Sequence, residues 1–321
     1  MNEAWLPLCS SIQDAQNILL ISHIFPDGDT CGSALALRRA LISLGKDVTC
    51  CCEHSVPEIY KMLDGASAIE SPAAHAGRIF DLAISIDVSD PERMGAGCGE
   101  LFVNARHTAQ IDHHGTNPAY AAVNIIRSPL SATGVLIAGL LDALGVPFDR
   151  QIAECLYVAV ATDTGNFKQA NADADAFAVA ARCAACGFDI AAVSRRVFDV
   201  RPVCQVKLFG AALSSLKLSH NGQVASAVVS REDFLLCGAA PEHTEGIVNI
   251  IFNMEGVKIA VLLTEKGEGV KVSLRSVAPY DVAAVARTFE GGGHTFAAGC
   301  TLQMNLEDAR AAVAAACGKI L

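Results

Sequence analysis

Several aspartate and histidine side chains directly follow apolar segments, so a sheet of parallel strands could bring them together. The first group lies in His23-Ile-Phe-Pro-Asp27-Gly-Asp29, immediately after the apolar run Asn17–Ser22. The others are Asp87, Asp112-His113-His114 and Asp163, each of which also follows an apolar run. Carboxylates with some imidazole suit Mn²⁺ or Mg²⁺, and two such cations about 3.5–4 Å apart form a clamp for in-line attack at phosphorus. These residues therefore predict a two-metal centre that hydrolyses phosphoesters.

The acidity of this group is itself an argument for cations. Like charges cannot all ionise in one buried site, and the basic residues in the loops concerned are Arg93 and Arg106. A single aspartate after a strand is usually a helix N-cap or a turn residue, and we interpret Asp90 in that way. Four acidic loops at one edge of a sheet are harder to explain as caps, and divalent cations would resolve the charge conflict.

The elements that must position these residues alternate between strand and helix patterns. The predicted strands are Asn17–Ser22, Asp47–Cys52 and Leu82–Ile86, and the predicted helices are Cys31–Leu44 and Ser131–Leu144. The apolar segment Glu154–Ala161 fits either a helix or a strand, and the metal-site hypothesis treats Asp163 as a strand-end residue. This order is typical of an α/β fold in which a mostly parallel sheet carries helices on both faces. In such folds ligands bind at the carboxyl ends of the strands.

The pattern changes in the second half of the chain. The predicted strands there are Val224–Val229, Val257–Leu263 and Val270–Arg275, and the predicted helices are Asp281–Phe289 and Leu306–Cys317. We therefore expect residues 1–190 to form the metal-binding catalytic domain and residues 191–210 a helical connector. Residues 211–321 should form a smaller mixed α/β domain that binds substrate.

Composition and charge restrict the class of protein further. With 52% hydrophobic and 18% charged residues, the chain is not a disordered one. No apolar run reaches the roughly 18–20 residues of a membrane helix and the N-terminus lacks a signal-peptide pattern, so we expect a cytoplasmic protein without membrane contacts. The net charge of −10 opposes the binding of long duplex nucleic acid, so an anionic substrate should be small. The thirteen cysteines are interpreted as reduced core residues.

The motifs resemble those of a known family. His23-x-x-x-Asp27-x-Asp29-x-x-Gly32-Ser33, Asp87, Asp112-His113-His114 and Asp163-Thr-Gly165 are similar to the four ordered motifs of the DHH phosphoesterases. Gly291-Gly292-Gly293-His294-x-x-Ala297-Ala298-Gly299 resembles the signature of the DHH-associated C-terminal domain. The size of the chain and the pairing of these domains are most similar to the nanoRNase/pAp phosphatase group of that family.

The resemblance implies two divalent cations, with Mn²⁺ preferred and Mg²⁺ as the alternative. The implied ligands are His23, Asp27 and Asp87 for one cation, and Asp29, Asp87, His113 and Asp163 for the other. Asp87 would bridge the two cations. His114 would contact the phosphate as a catalytic hydrogen-bond donor. Asp112 would orient a histidine through a hydrogen bond without itself binding a cation.

The second domain is expected to select the substrate. In Val270–Arg275 the alternation of side chains places Lys271, Ser273 and Arg275 on one cationic face, and Arg275 could hold a terminal phosphate. Gly291, Gly292, Gly293 and His294 would contact the ligand, although three glycines alone more often mark a loop.

The resemblance implies hydrolysis of short single-stranded oligonucleotides, of two to five nucleotides and including pApA, to mononucleotides, with pAp as a further substrate. The alternatives are a cyclic dinucleotide phosphodiesterase, an inorganic pyrophosphatase or exopolyphosphatase, and a nucleotide-binding regulator without catalysis. A processive exonuclease of the RecJ type is disfavoured by the short acidic chain and its few aromatics. The oligomeric state, monomer or homodimer, is left open.

Overall fold

In the computed structural model, which describes residues 3–267 and 269–321, the chain divides into two units. The first is Met1–Val200 and the second is Arg201–Leu321. The division falls within the range 191–210, for which the sequence predicts a helical connector. A π-helical turn at Arg195–Asp199 lies immediately before it.

The first unit is built on a parallel sheet of six strands. They are β1 (Asn17–Ser22), β2 (Asp47–Cys51), β3 (Ile69–Glu70), β4 (Leu82–Ile86), β5 (His107–Asp112) and β6 (Val123–Ile126). The helices are α1 (Leu6–Asp14), α2 (Gly28–Ser43), α3 (Ala96–Val103), α4 (Thr133–Leu144), α5 (Arg150–Asp163), α6 (Ala174–Ala184) and α7 (Ile190–Ser194).

Helices cover both faces of this sheet, as the side chains of β1 show. Ile18 and Leu20 belong to the core cluster that includes α1, α2, α4 and α5. Leu19 and Ile21 point to the opposite face and pack in the cluster that includes α3. Burial on both faces explains why β1 is a continuous apolar run, and the arrangement confirms the predicted fold class.

The order of strands places the functional loops at one position. The order is β3-β2-β1-β4-β5-β6. The chain therefore extends the sheet from β1 to β3 on one side and from β4 to β6 on the other, and the direction changes between β1 and β4. Open α/β sheets bind their ligands at this switch point, outside the carboxyl ends of the strands. His23 follows β1 and Asp87 follows β4, so both lie at that position.

The secondary structure before Asp163 differs from the sequence prediction. Glu154–Ala161 lies within helix α5, and Asp163 is the last residue of that helix. The expectation that Asp163 follows a strand was therefore wrong, because a short apolar run buried on all sides carries no periodicity that separates helix from strand. The short strands β3 and β6 were not predicted at all.

The second unit contains a mixed sheet of six strands in the order β11-β12-β10-β9-β8-β7. They are β7 (Lys217–Ser219), β8 (Val224–Val229), β9 (Ile259–Lys266), β10 (Gly269–Ser276), β11 (Gly292–His294) and β12 (Ala297–Leu302). The helices are α8 (Val203–Ser214), α9 (Arg231–Cys237), α10 (Ile247–Phe252), α11 (Val282–Arg287) and α12 (Leu306–Gly318). Strands β8 and β9 are parallel and the other neighbours are antiparallel, which confirms the predicted mixed α/β class.

None of the helices within residues 3–267 and 269–321 combines the length and apolar character that a membrane span requires.

Candidate metal centre

The first cluster of possible metal ligands consists of His23, Asp27 and Asp87, whose ligand atoms all lie within 4.8 Å of one another. The Nδ1 atom of His23 lies 2.7 Å from the carbonyl oxygen of Ile24. Because a carbonyl only accepts, this Nδ1 carries the proton, although Nη2 of Arg93 lies 3.3 Å from the same atom. The lone pair of Nε2 is thereby free, and this atom lies 3.5 Å from Oδ2 of Asp27 and 3.7 Å from Oδ2 of Asp87.

The second cluster consists of Asp29, His113 and Asp163. The Nδ1 atom of His113 donates to the carbonyl oxygen of Leu130 at 2.9 Å, so the lone pair of this imidazole is also on Nε2. That Nε2 lies 3.6 Å from Oδ2 of Asp163. Both imidazoles are thus held by backbone carbonyls in the tautomer that a metal ion needs.

Asp87 lies between the two clusters. Its Oδ2 faces His23, while its Oδ1 lies 3.6 Å from Nε2 of His113. The residue has a left-handed backbone with φ of +60°, a conformation that aspartate tolerates better than most residues. The hydroxyl of Thr133 donates to Oδ1 at 2.9 Å and fixes the rotation of the carboxylate. One carboxylate is therefore presented to the imidazoles of His23 and His113, and its Oδ1 also lies 3.7 Å from Nδ1 of His114.

Asp29 is held at the start of helix α4. It accepts hydrogen bonds from the backbone N–H groups of Thr133 at 2.7 Å and Gly134 at 2.9 Å, and from the hydroxyl of Ser33 at 3.0 Å. Thr133 therefore positions two of the clustered aspartates, yet sequence reasoning missed it. The available signal was a Thr-Gly pair in the first turn of the predicted helix Ser131–Leu144, but the sequence does not show that this turn lies against Asp29 and Asp87.

Asp27 has a second function as the N-cap of α2. Its Oδ1 accepts from the backbone N–H groups of Asp29 at 3.0 Å and Thr30 at 3.1 Å, which leaves Oδ2 directed to His23. Burial raises the pKa of Asp27, but the hydrogen bond and charge of His23 and these two N–H groups together lower it. Capping uses one oxygen of this carboxylate and leaves the other available to a metal ion.

His114 and Asp112 form a pair at the end of β5. Asp112 is fully buried, and its Oδ1 lies 2.8 Å from Nδ1 of His114. Oδ2 of Asp112 accepts from the side-chain amide of Asn117 at 2.6 Å. The hydrogen bond with Asp112 raises the pKa of His114, and burial opposes this effect only in part. The side chain of His114 is 41% exposed, so Nε2 is available to a ligand in solution.

Electrostatics make the cluster unfavourable without a counter-charge. Burial raises the pKa of Asp29 well above 3.8, and the charges of Asp163 and Asp27 add to this effect. Burial likewise raises the pKa of Asp87, with further contributions from Asp29 and Asp27. Burial also raises the pKa of Asp163, which lies at the C-terminal end of a helix, where the helix dipole disfavours an anion.

Divalent cations fit this donor set. Oxygen and imidazole atoms that share a cation with bonds of about 2.0–2.2 Å lie roughly 3–4 Å apart. The separations of 3.5–3.7 Å between the Nε2 atoms and the carboxylate oxygens fall in this range. Carboxylates with imidazole also match the preferences of Mn²⁺ and Mg²⁺ rather than those of thiolate-binding metals.

Close helix packing brings the clusters together. A Cβ atom on Gly32 would overlap the backbone carbonyl oxygen of Cys155, and a Cβ atom on Gly28 would overlap the side chain of Thr162. The two glycines thus let α2 approach α5. This approach places Asp29, in the first turn of α2, beside Asp163, at the end of α5.

The residues expected to bind substrate lie in the second unit. Arg275 is partly buried on β10, on the same face as the exposed Lys271 and the partly buried Ser273. Lys271 and Ser273 line a groove of about 510 Å³. The predicted alternation of side chains along this strand agrees with the burial pattern.

The glycine run lies in a β-hairpin rather than in an irregular loop, because β11 pairs with β12. A Cβ atom on Gly291 would overlap the carbonyl oxygen of Gly299, and one on Gly293, where φ is +141°, would crowd Ala297 and Ala298. A Cβ atom on Gly292 would meet open space. Close packing therefore explains the absence of a side chain at Gly291 and Gly293. Gly292 and the exposed His294 are left accessible to a ligand.

Comparisons with known proteins agree with this arrangement. Residues 17–160 match the DHH family, N-terminal domain, and residues 222–319 match the DHHA1 domain. The chain is 32% identical to the bifunctional oligoribonuclease and PAP phosphatase NrnA of Thermus thermophilus, over 89% of this chain and 84% of that protein.

Two solved structures show the same fold. An exopolyphosphatase-related protein from Bacteroides fragilis superposes with a TM-score of 0.88 and 24% identity, covering 99% of this chain and 96% of that one. The exonuclease RecJ bound to manganese superposes with a TM-score of 0.57 and 17% identity, covering 99% of this chain and 94% of that one. The chain therefore belongs to the DHH family and is a metal-dependent phosphoesterase that combines a DHH domain with a DHHA1 domain.

Proposed function

We propose that the protein hydrolyses short single-stranded oligonucleotides, pApA among them, to mononucleotides and removes the 3′-phosphate of pAp. The observation that carries this proposal is the 32% identity to an oligoribonuclease and PAP phosphatase over most of both chains. The likeness extends through both domains, so it includes the part expected to select the substrate. The net charge of −10 agrees with a short substrate, because a long polyanion would be repelled.

The proposal includes two divalent cations, of which Mn²⁺ is preferred. One would be held by His23, Asp27 and Asp87, and the other by Asp29, Asp87, His113 and Asp163. The support is the position of Asp87, whose two oxygens each face a different imidazole. When bound, the cations neutralise the carboxylates, polarise the phosphoryl group and make water a better nucleophile.

His114 is the proposed hydrogen-bond donor to the phosphate or to the leaving oxygen. Asp112 holds Nδ1 of this imidazole and favours its protonated form, so Nε2 carries a proton that it can donate. Asp112 is itself fixed by Asn117 and by burial, and so determines the orientation of the ring. In this arrangement His114 is a catalytic residue and Asp112 is a positioning residue.

The DHHA1 domain is proposed to bind the end of the substrate that is not cleaved. Arg275 would hold a terminal phosphate with its planar guanidinium group, and the backbone at Gly292 with His294 would contact the nucleotide. The open space at Gly292 supports this assignment, since a ligand can approach the backbone there.

A hydrolysis panel with Mn²⁺ tests the proposal. The substrates are a 5′-phosphorylated dinucleotide, a pentanucleotide, pAp, a cyclic di-adenylate and pyrophosphate, with the products separated by chromatography. The expected result is turnover of the dinucleotide and of pAp to mononucleotides. Exclusive cleavage of pyrophosphate, or cleavage of the cyclic dinucleotide alone, would overturn the proposed substrate class. Absence of turnover on every substrate would favour a regulator.

A further inference from the structure

Phe25 lies in the turn that carries two of the clustered residues, yet its ring is directed to solvent. The side chain is 74% exposed, and the backbone has a left-handed φ of +53°. A bulky aromatic residue in this conformation is strained, and such strain is common at functional sites. The exposed ring gains little from burial, so its position is not explained by packing.

The position of this ring is nevertheless fixed. The backbone N–H of Phe25 donates to Nδ1 of His54 at 3.1 Å, and the two rings lie against each other with centroids 4.2 Å apart and an interplanar angle of 32°. The adjacent thiol of Cys52 donates to the carbonyl oxygen of His23 at 3.2 Å. Pro26, the next residue, is buried and restricts the turn from the other side.

The segment that carries His54 is also held in place by hydrogen bonds. Glu53 accepts from the backbone N–H groups of Gly97 at 3.1 Å and Cys98 at 3.3 Å, at the start of α3. On the other side of the turn, the N–H of Ile24 donates to the carbonyl oxygen of Arg93 at 2.7 Å. The ring of Phe25 is thus an exposed apolar surface that is held in place before any ligand arrives.

The distance to the metal centre is short. Phe25 is two residues from both His23 and Asp27, so its Cα lies at most about 7.6 Å from theirs. A nucleoside whose phosphate is bound between those two residues would therefore be within reach of this ring.

We propose that Phe25, supported by His54, is a platform on which one base of the substrate stacks while the adjoining phosphate lies at the metal centre. The proposal depends on the proposed function, since it requires a nucleotide substrate. Stacking on an aromatic ring uses the π-face that every base has, so it strengthens binding without selecting a particular base. The platform would therefore lower KM for nucleotides of any sequence and would have little effect on inorganic substrates.

A cycle of kinetic measurements separates stacking from other roles of the turn. Wild type, Phe25→Ala and Phe25→Trp are compared on pApA and on two analogues, each of which lacks one base. We expect kcat/KM for pApA to fall about tenfold in Phe25→Ala, in the range known for loss of a base–aromatic stack. Phe25→Trp should stay within about threefold of wild type.

The base-free analogues supply the decisive comparison. One analogue lacks the base that stacks on Phe25, and for wild type its kcat/KM should be about tenfold lower than that of pApA. On this analogue Phe25→Ala should lower kcat/KM by less than about twofold relative to wild type, because the stacked base is missing. Equal losses on pApA and on both analogues would show that Phe25 acts on the turn rather than on a base, and would overturn the proposal. Val103→Ala is the control, since Val103 is 73% exposed at the end of α3 and should have no effect.

A binding measurement distinguishes failure of this proposal from failure of the proposed function. A dinucleotide analogue with a non-hydrolysable methylene-bridged linkage and 2-aminopurine in place of adenine is titrated with the Mn²⁺-loaded protein. Stacking should quench its fluorescence with wild type and Phe25→Trp, but not with Phe25→Ala. If wild type does not hydrolyse pApA yet gives this pattern, the proposed reaction fails and the platform stands. Equal quenching by wild type and Phe25→Ala, or none by wild type, would refute the platform.

Discussion

Asp87 illustrates how one side chain can face two groups of possible metal ligands. Its left-handed backbone turns the carboxylate across the end of β4, and the hydroxyl of Thr133 fixes which oxygen faces which imidazole. The sequence pattern and the family resemblance predicted that the residues at positions 23, 27, 29, 87, 113 and 163 lie together, and the structure brings them into neighbouring groups. Thr133 could not be identified in that way, because its role depends on the position of a helix start in three dimensions.

Replacing Asp87 by Asn should lower kcat by about 10³-fold or more, because a neutral amide cannot hold two cations at once. The same variant should unfold at a higher temperature than wild type when both are metal-free, since it removes a charge from a buried acidic cluster. Steady-state kinetics, calorimetric counting of bound Mn²⁺ and thermal unfolding provide the measurements. Asp90→Asn is the matched control, because Asp90 only caps the turn Pro91–Met94. Substantial Mn²⁺-dependent activity in Asp87→Asn would contradict the bridging role.

Replacing Asp112 by Asn should lower kcat by about 10–100-fold, in the range known for residues that orient a catalytic group. The hydrogen bond that Nδ1 of His114 donates to Asp112 raises the pKa of His114, so its loss should lower that pKa. If protonated His114 is required, the alkaline limb of the profile of kcat against pH should move to lower pH in the variant. An unchanged profile with a uniformly lower rate would contradict this role for His114.

The long strands were predicted well from the sequence, but the element that carries Asp163 was not. β1 and β4 were predicted with their observed bounds, because apolar runs between polar loops are a strong signal. The residues before Asp163, Glu154–Ala161, gave an ambiguous pattern, since all sides of α5 are packed in the core. β6 has only four residues, Val123–Ile126, and was not predicted, whereas the following helix was predicted to begin at Ser131, two residues before the observed start of α4 at Thr133.

The approach of α2 to α5 should be sensitive to a single methyl group. Gly32→Ala should lower the free energy of unfolding by about 1–3 kcal/mol, as overpacking typically does, and should weaken Mn²⁺ binding by separating Asp29 from Asp163. Gly99→Ala, on helix α3, is the control, because a Cβ atom there meets open space. Chemical denaturation and Mn²⁺ titration measure the two effects. A variant at position 32 as stable as wild type would mean that the helices can separate without cost.

Strand β10 carries the proposed phosphate contact. Arg275→Ala should raise KM for pApA by about 10–100-fold, because a charge-assisted hydrogen bond is lost, and should leave the number of bound Mn²⁺ ions unchanged. Arg287→Ala is the control, since its ion pair with Asp281 is exposed and should contribute little. Unchanged kinetics in the Arg275 variant would remove this residue from the binding site.

The buried acidic cluster should make the stability of the protein depend on pH and on bound metal. The pKa values of Asp29 and Asp87 are raised in the folded protein, so the fold retains their protons at pH values where the unfolded chain has lost them. The free energy of unfolding of the metal-free protein should therefore decrease as the pH rises from about 4 towards these raised values. Below pH 4 this contribution is fully present.

Added Mn²⁺ should reverse this loss. Each saturated site adds about 2.7 kcal/mol when free Mn²⁺ is 100 times its dissociation constant, and the gain should be larger at pH 8 than at pH 5, where protons compete. Thermal unfolding with EDTA and with Mn²⁺ at several pH values measures this effect. Asp29→Asn should flatten the pH dependence of the metal-free protein. A metal-free protein whose stability increases over this pH range would contradict the electrostatic account.

The distribution of the ligands along the chain has a consequence for synthesis. All of the proposed ligands except Asp163 lie at or before residue 113. Asp163 follows about 50 residues later, at the end of α5. At about 5–20 residues per second, a ribosome needs roughly 2–10 s to add that stretch. During this interval the nascent chain already carries most of the acidic cluster but lacks Asp163, a proposed ligand of the second cation. In the proposed arrangement, capture of both cations would therefore follow translation of α5, and a product truncated before it would carry the acidic residues without the complete second ligand set.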